Sequence, residues 1–237
     1  WSITVDIPVN SLYKFKINKL KLPDPASHFQ PEGVHSWSQV VSKEYPWDDD
    51  SWKGMSTAEM VIYELHVGTF SHEGTFEGVK KRLSHFKELG VNTLEIMPIA
   101  QFPGSRNWGY DGVFPFAVQN SYGSRESLKS LINECHQQGI AVLLDVVYNH
   151  MGPEGNYLSS FGPYFTDKYH TPWGQAINFD DEYSDEVRHF FIQNALMWLE
   201  EFHFDGLRLD AVHEIIDCGA KHFLQELSEA VDELEKR

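Results

Sequence analysis

Asp145-Val146-Val147-Tyr148-Asn149-His150 and Gly206-Leu207-Arg208-Leu209-Asp210-Ala211-Val212-His213 are two short apolar runs that each turn polar at the C-terminal end. Their place in the chain decides the fold. Strand alternation turns Arg208 and Asp210 to the same side. A carboxylate held beside a guanidinium is favoured in its charged form, which suits a nucleophile or an electrostatic stabiliser and makes a poor proton donor. A structural Arg/Asp pair at a strand end is the alternative reading of these residues taken alone.

Working outward, the pattern from Met60 onward is strand, helix, strand, helix. Met60 to Val67 reads as a strand. Thr75 caps a helix carrying Val79, Leu83 and Phe86 and stopped by Gly90, and Val91 to Met97 is the next strand. Ser124 opens a helix with Leu128, Leu131, Ile132 and Cys135 on one face; Gly139 ends it, and Ile140 to Val147 is apolar enough for a strand buried on both faces. A helix from Ser184 bears Val187, Phe191, Ala195, Trp198 and Phe202, a strand spans Phe204 to Leu209, and a last helix carries Phe223, Leu224, Leu227, Val231 and Leu234. Alternating β and α units imply a parallel sheet with right-handed crossovers. An open doubly wound sheet and half of an eight-stranded barrel both fit. The barrel is preferred, because no glycine-rich phosphate fingerprint follows the first strand and the polar motifs fall at strand C-terminal ends.

The expected architecture is therefore α/β: the first four β/α units of a (β/α)8 TIM barrel over residues 59–237, with a long loop at 151–183 that has no clear period. Ile3, Val5 and Ile7 alternate with polar positions, as do Tyr13, Phe15 and Ile17, giving two strands joined near Pro8 to Ser11. Residues 1–21 are read as the end of a small β-sandwich module. Residues 22–58, with His28, His35 and Asp48-Asp49-Asp50, are read as a linker wrapping the barrel. The chain opens at Trp1 without an initiator Met, so a piece of something longer is expected.

Composition narrows the partners. Lys and Arg number 19 against 35 Asp and Glu, a formal net charge of -16, which argues against nucleic acid or an anionic membrane. A neutral polyhydroxylated ligand would not be repelled. The aromatic share of 14%, with 7 Trp and 10 Tyr, suits a sugar-binding surface and a packed core equally. Cys135 and Cys218 have neither metal-site nor disulfide spacing, so a reducing cytoplasm is the default, and no apolar run approaches a membrane span.

Adjacent parallel strands would bring the two polar ends together. His150 can then donate to a ligand hydroxyl, and Asp145 can orient Arg208 from behind. Asn107-Trp108-Gly109-Tyr110-Asp111-Gly112 follows the second strand and sets two aromatics and a carboxylate on a turn, where Tyr110 can stack on a sugar ring. Each residue singly has an ordinary alternative: a hydrogen-bonded loop histidine, a packing tyrosine, a turn-forming aspartate. Three such groups at consecutive strand ends point to a polyhydroxylated ligand with a carboxylate at its centre.

The 145–150 and 206–213 stretches resemble, in order and spacing, two signature regions of the α-amylase superfamily of retaining glycoside hydrolases and transglycosylases. Leu22–Ser27, Gln30–His35, Phe102–Gly112 and Thr171–Asp180 resemble the malto-oligosyltrehalose trehalohydrolases within it. Branching enzymes are near neighbours, but usually carry a Trp-Val-Pro type segment where this chain has Val147-Tyr148-Asn149. The resemblance implies that Asp210 is the nucleophile of a double displacement, that Arg208 aligns it, and that His150 and Tyr110 contact the sugar before the scissile bond. It also implies a contact from His213. The bond cut would adjoin a terminal trehalose unit. The family draws its general acid from the fifth strand and a further aspartate from after the seventh. Glu214 and Asp111 have no motif support for the acid role, so this chain alone is expected to be inactive and to self-associate through open barrel edges. No cofactor and no metal are expected; Asn149 resembles a calcium position of some α-amylases, yet structural hydrogen bonding suits it better. A branching or debranching enzyme and a non-catalytic α-glucan-binding module are the alternative readings.

Overall fold

The computed structural model describes residues 4–235. Short strands β1 (Leu12–Tyr13), β2 (Phe15–Ile17), β3 (Leu20–Leu22) and β4 (Ser38–Gln39) open the chain, β1 pairing antiparallel with β4 and β2 with β3. The strand expected over Ile3 to Ile7 does not form in the described part: Val5 and Ile7 are exposed with no strand to pair against, and Ile3 lies outside the described residues. The second expected strand is split in two, and one of its halves is completed by β4, from the segment read as linker.

After β5 (Ile62–Leu65) come α1 (Val67–Phe70), α2 (Phe76–Lys80) and α3 (Leu83–Glu88). Thr75 Oγ1 accepts the Gly78 amide at 3.2 Å and caps α2, an interaction worth about 1 kcal/mol. One helix was expected between Thr75 and Gly90. It breaks at Arg82, which leaves the helical conformation and turns its guanidinium onto the Gly78 carbonyl at 2.7 Å.

Strand β6 (Thr93–Ile96) leads into an excursion that the sequence does not announce, β7 (Ala100–Gln101) paired antiparallel with β8 (Phe114–Val118). All five residues of β8 are buried, so it has no alternation to read, and Pro115 marks it as a breaker. Helix α4 (Arg125–Gln137), capped by Ser124 on the Ser127 amide, precedes β9 (Ala141–Val146).

The segment 151–183 is not irregular throughout. It holds a hairpin of β10 (Phe165–Thr171) and β11 (Gly174–Ile177), with a register shift between Thr166 and His170. The polar run Thr166–Thr171 gave no hydrophobic period to detect it by. Helix α5 (Ser184–Glu200), strand β12 (Gly206–Leu209) and helix α6 (Phe223–Glu235) complete the chain.

The central sheet is parallel and ordered β12-β9-β6-β5, so its strands lie side by side in chain order. A doubly wound sheet would reverse that order at a switch point; a barrel does not. Leu94, Ile96, Val142 and Leu144 from the sheet pack with Phe86, Leu128, Leu131, Ile132, Phe191 and Trp198 from the helices into one core. Cys135 lies in that core and Cys218 is exposed, both as free thiols. No described helix is long and apolar enough to cross a membrane.

Candidate active site

The register of the parallel sheet sets Arg208 opposite Asp145. One guanidinium nitrogen of Arg208 donates to both oxygens of Asp145 at 3.0 Å and to Asp210 Oδ1 at 2.8 Å. The Tyr110 hydroxyl donates to Asp145 Oδ2 at 2.9 Å. Burial pushes the Asp145 carboxyl up to about 6, against the downward pull of the Arg208 and Tyr110 hydrogen bonds. Desolvation and the neighbouring Asp145 likewise hold the Tyr110 hydroxyl in its protonated, donating form. Asp145 thus has both oxygens engaged, while Asp210, less deeply placed, keeps one oxygen outside this network.

Beside this core, His150 Nε2 meets the Tyr110 carbonyl at 2.9 Å and Nδ1 meets the Asn149 amide nitrogen at 2.8 Å. A carbonyl can only accept, so Nε2 carries the proton and donates, and Nδ1 accepts. Burial depresses the imidazole pKa and keeps it neutral. Both ring nitrogens are therefore engaged within the protein, and donation to a ligand hydroxyl requires the Tyr110 contact to give way. Asn149 donates from Nδ2 to His150 Nδ1, and its Oδ1 is buried without a partner among the described residues.

The turn that carries Tyr110 is built from tight backbone contacts. Asn107 Oδ1 accepts the Gly109 amide at 2.8 Å and Asn107 Nδ2 donates to Asp111 at 2.6 Å. Gly109 has φ of 102°, and a Cβ there would lie 2.0 Å from the Pro98 carbonyl oxygen. A Cβ on Gly152 would lie 2.1 Å from the Asp111 carbonyl oxygen. The turn between β7 and β8 and the turn after β9 thus touch backbone to backbone. Ala211, directly after Asp210, takes φ of 40°, a left-handed conformation that is strained for a residue with a Cβ.

Asp145, Arg208, Asp210, Tyr110, His150 and Asn149 are brought together. Asp111 stays in its turn, paired with Asn107; Trp108 is 72% exposed, and the exposed His213 ring lies 3.8 Å from the Glu214 carboxylate. The sequence reading missed Trp173. Its ring stacks on His150, centroids 4.5 Å apart and 8° from parallel, beside a cavity of about 220 Å³ that Asn156 and Gln175 also line. The signal for it was a Trp-Gly pair at a turn inside a stretch otherwise read as loop. Glu64, Glu95 and Asp145 bring ligand oxygens within 4.8 Å of one another, a donor set that a divalent cation can take, although Arg208 already supplies a positive charge there.

A parallel sheet stacked in chain order, with its charged and aromatic groups converging at the C-terminal strand ends, defines a β/α-barrel of the enzyme kind. The model of the α-amylase catalytic domain matches residues 40–173. The chain belongs to the α-amylase family. It is 54% identical to the malto-oligosyltrehalose trehalohydrolase of Saccharolobus solfataricus, an alignment that covers 100% of this chain and 42% of that protein. A solved putative α-amylase from Salmonella typhimurium superposes with a TM-score of 0.92 at 42% identity, covering 96% of this chain and 39% of that one. A pullulanase from Anoxybacillus sp. LM18-11, solved with maltotetraose, gives 0.77 at 26% identity, covering 92% and 38%. The chain spans about two fifths of the length of the curated relatives it matches.

Proposed function

We propose that this chain is the first half of the catalytic barrel of a trehalohydrolase, which cuts the α-1,4 bond adjoining the terminal trehalose of a malto-oligosyltrehalose and releases trehalose. The observation that carries the reading is the 54% identity, along the whole chain, to a protein of that name. Geometry supports it: Asp210 stands at the end of β12, aligned by Arg208, which is itself fixed by Asp145.

In the proposed mechanism Asp210 attacks the anomeric carbon and forms a covalent β-glycosyl ester as the bond to the trehalose oxygen breaks, that oxygen leaving with a proton from the general acid. Water, giving its proton back to the same group, then displaces Asp210 with net retention. Arg208 holds Asp210 Oδ1 at 2.8 Å and limits its rotation. Tyr110, His150, Arg208, His213, Trp108 and Asp111 are the proposed sugar contacts, with Asp145 behind Tyr110 and Arg208 and Asn149 behind His150. The general acid, expected about 5 Å from the nucleophile, is proposed to come from the fifth barrel strand. The segment boundaries near 22 and 59, a role in trehalose formation, a cytoplasmic location, and self-association of the isolated segment through the outer edges of β5 and β12 belong to the same proposal.

The likeness to a maltotetraose-bound pullulanase favours debranching as the second reading. The test is to incubate the full-length protein with malto-oligosyltrehalose, maltoheptaose and pullulan. Trehalose from the first, with slow or no cleavage of the others, is expected. Cleavage of pullulan without trehalose release replaces this reading with debranching; binding of all three without turnover replaces it with a glucan-binding role. Asp210→Asn is expected to lower the rate by about 10³-fold or more, as loss of a nucleophile does.

A further inference from the structure

The side chain of Asp180 is 1% exposed, and it lies in the long segment between β9 and α5 rather than in the core. Acidic side chains are rarely buried to that degree unless their charge is matched. Here one oxygen, Oδ2, takes every contact: the Tyr169 hydroxyl at 2.7 Å, the Cys218 amide at 2.8 Å and the Lys168 ammonium at 3.1 Å. Those donors hold the carboxyl below its usual range, although burial pushes the other way. Two come from β10 and the third from the loop that follows Asp210.

The donors on β10 sit where the register with β11 shifts, between Thr166 and His170. Such a bulge re-aims side chains out of the ladder, and here Lys168 and Tyr169 meet Asp180. At the other end of the same hairpin, Trp173 stacks on His150, and His150 donates to the Tyr110 carbonyl. A continuous chain of contacts therefore runs from the loop after Asp210, through Asp180 and the hairpin, to the turn that carries Tyr110. Arg188 of α5 secures the base of that loop separately, reaching the Phe179 carbonyl at 2.8 Å, Asp217 at 2.6 Å and the Lys221 carbonyl at 2.7 Å.

We propose that Asp180 is a positioning residue: it latches the hairpin that bears Trp173 to the loop following Asp210, and so sets the shape of the sugar-binding side of the cleft. The substrate named in the test rests on the trehalohydrolase reading; the latch does not. Because Arg188 holds the loop base independently, loss of Asp180 loosens the hairpin without dismantling the barrel.

The test uses the full-length protein and the variants Asp180→Ala, Asp180→Asn and Tyr169→Phe. Asp180→Ala is expected to raise KM for malto-oligosyltrehalose about tenfold, with a smaller change in kcat, since misplacing a binding element by an ångström can cost up to about 10²-fold. Asp180→Asn, which still accepts hydrogen bonds, is expected to recover most of that loss. Tyr169→Phe removes one donor and is expected to shift KM in the same direction by less. Limited trypsin digestion gives a readout independent of activity: cleavage after Lys168 is expected to speed up in Asp180→Ala relative to the parent. Unchanged KM with unchanged cleavage, or a kcat loss with KM intact, overturns the proposal. If the parent releases no trehalose, the trehalohydrolase reading fails, and the latch is judged by the Lys168 cleavage and by KM on whichever α-glucan is cut.

Discussion

Arg208 reaches both oxygens of Asp145 at 3.0 Å from the same nitrogen that holds Asp210 at 2.8 Å. A carboxylate buried on one strand thus orients the guanidinium that orients a less buried carboxylate on the next. The arrangement costs stability at neutral pH, because burial favours the protonated form of Asp145. Its folded pKa of about 6 lies above the ordinary aspartate value of 3.8, so folding takes up a proton between these values. Stability from this group grows as pH falls from about 7 toward 4 and is absent above pH 7. Asp145→Asn is expected to lack that rise, which urea titrations at pH 5 and 7.5 would detect as a smaller difference between the two midpoints than in the parent. The same variant is expected to lose activity in the full-length protein, since Arg208 is no longer held from behind.

His136, at the end of α4, is shifted in the same direction, but by hydrogen bonds rather than by burial. Its Nδ1 meets Asp49 at 2.8 Å and its Nε2 meets Asp205 at 3.1 Å, so both nitrogens face carboxylates and the imidazolium is favoured. Those hydrogen bonds raise its pKa against the opposing effect of burial. Asp49 also accepts from His203, and the Trp52 ring lies over His136, 5.0 Å between centroids. A group raised in the folded state stabilises fully below its unfolded value of 6.5 and loses that contribution as pH rises through the folded value. The urea midpoint is expected to fall from pH 6 to pH 9, and more steeply than in His136→Gln. Equal slopes in the two proteins would remove His136 from the account. Asp49 is lowered instead and would lose its contribution only in acid.

Gly152→Ala is expected to destabilise by about 2–3 kcal/mol. The added Cβ would fall 2.1 Å from the Asp111 carbonyl oxygen, and the atom it meets is backbone, which cannot swing aside. Chemical denaturation gives the magnitude directly. A loss below about 0.5 kcal/mol would show that the two turns separate easily, and that Tyr110 is not held by this contact.

The sheet was legible in the sequence because its strands are apolar runs between helices with clear caps. Thr75 and Ser124 both accept the hydrogen bonds that their positions suggested. The pairing of Arg208 with Asp210 followed from alternation alone. What escaped had no period to show: β8 is buried along its whole length, and β10 is a polar strand broken by a bulge. Trp173 and Asp180 escaped for the same reason, since their partners lie far off in the chain and only the hairpin brings them near. The sequence suggests His150 as a donor to a ligand and does not reveal that its Nε2–H already donates to the Tyr110 carbonyl.

Two exposed tryptophans, Trp173 and Trp108, are held under different constraints, and this separates their expected contributions to sugar binding. Trp173 is 49% exposed, with one ring face fixed against His150 and the rest open to the adjoining cavity. Trp108 is 72% exposed and has no ring stacked against it among the described residues. A ring already held in place loses less freedom on binding, so more of its stacking energy appears as affinity. Trp173→Ala is expected to weaken maltoheptaose binding to the full-length protein about tenfold, roughly the upper end of what one aromatic contact contributes, whereas Trp108→Ala is expected to weaken it about twofold. Isothermal titration with Asp210→Asn as the background measures both without turnover. A larger loss at Trp108 would place the sugar on the turn between β7 and β8, and the stack on His150 would then serve the hairpin's own stability.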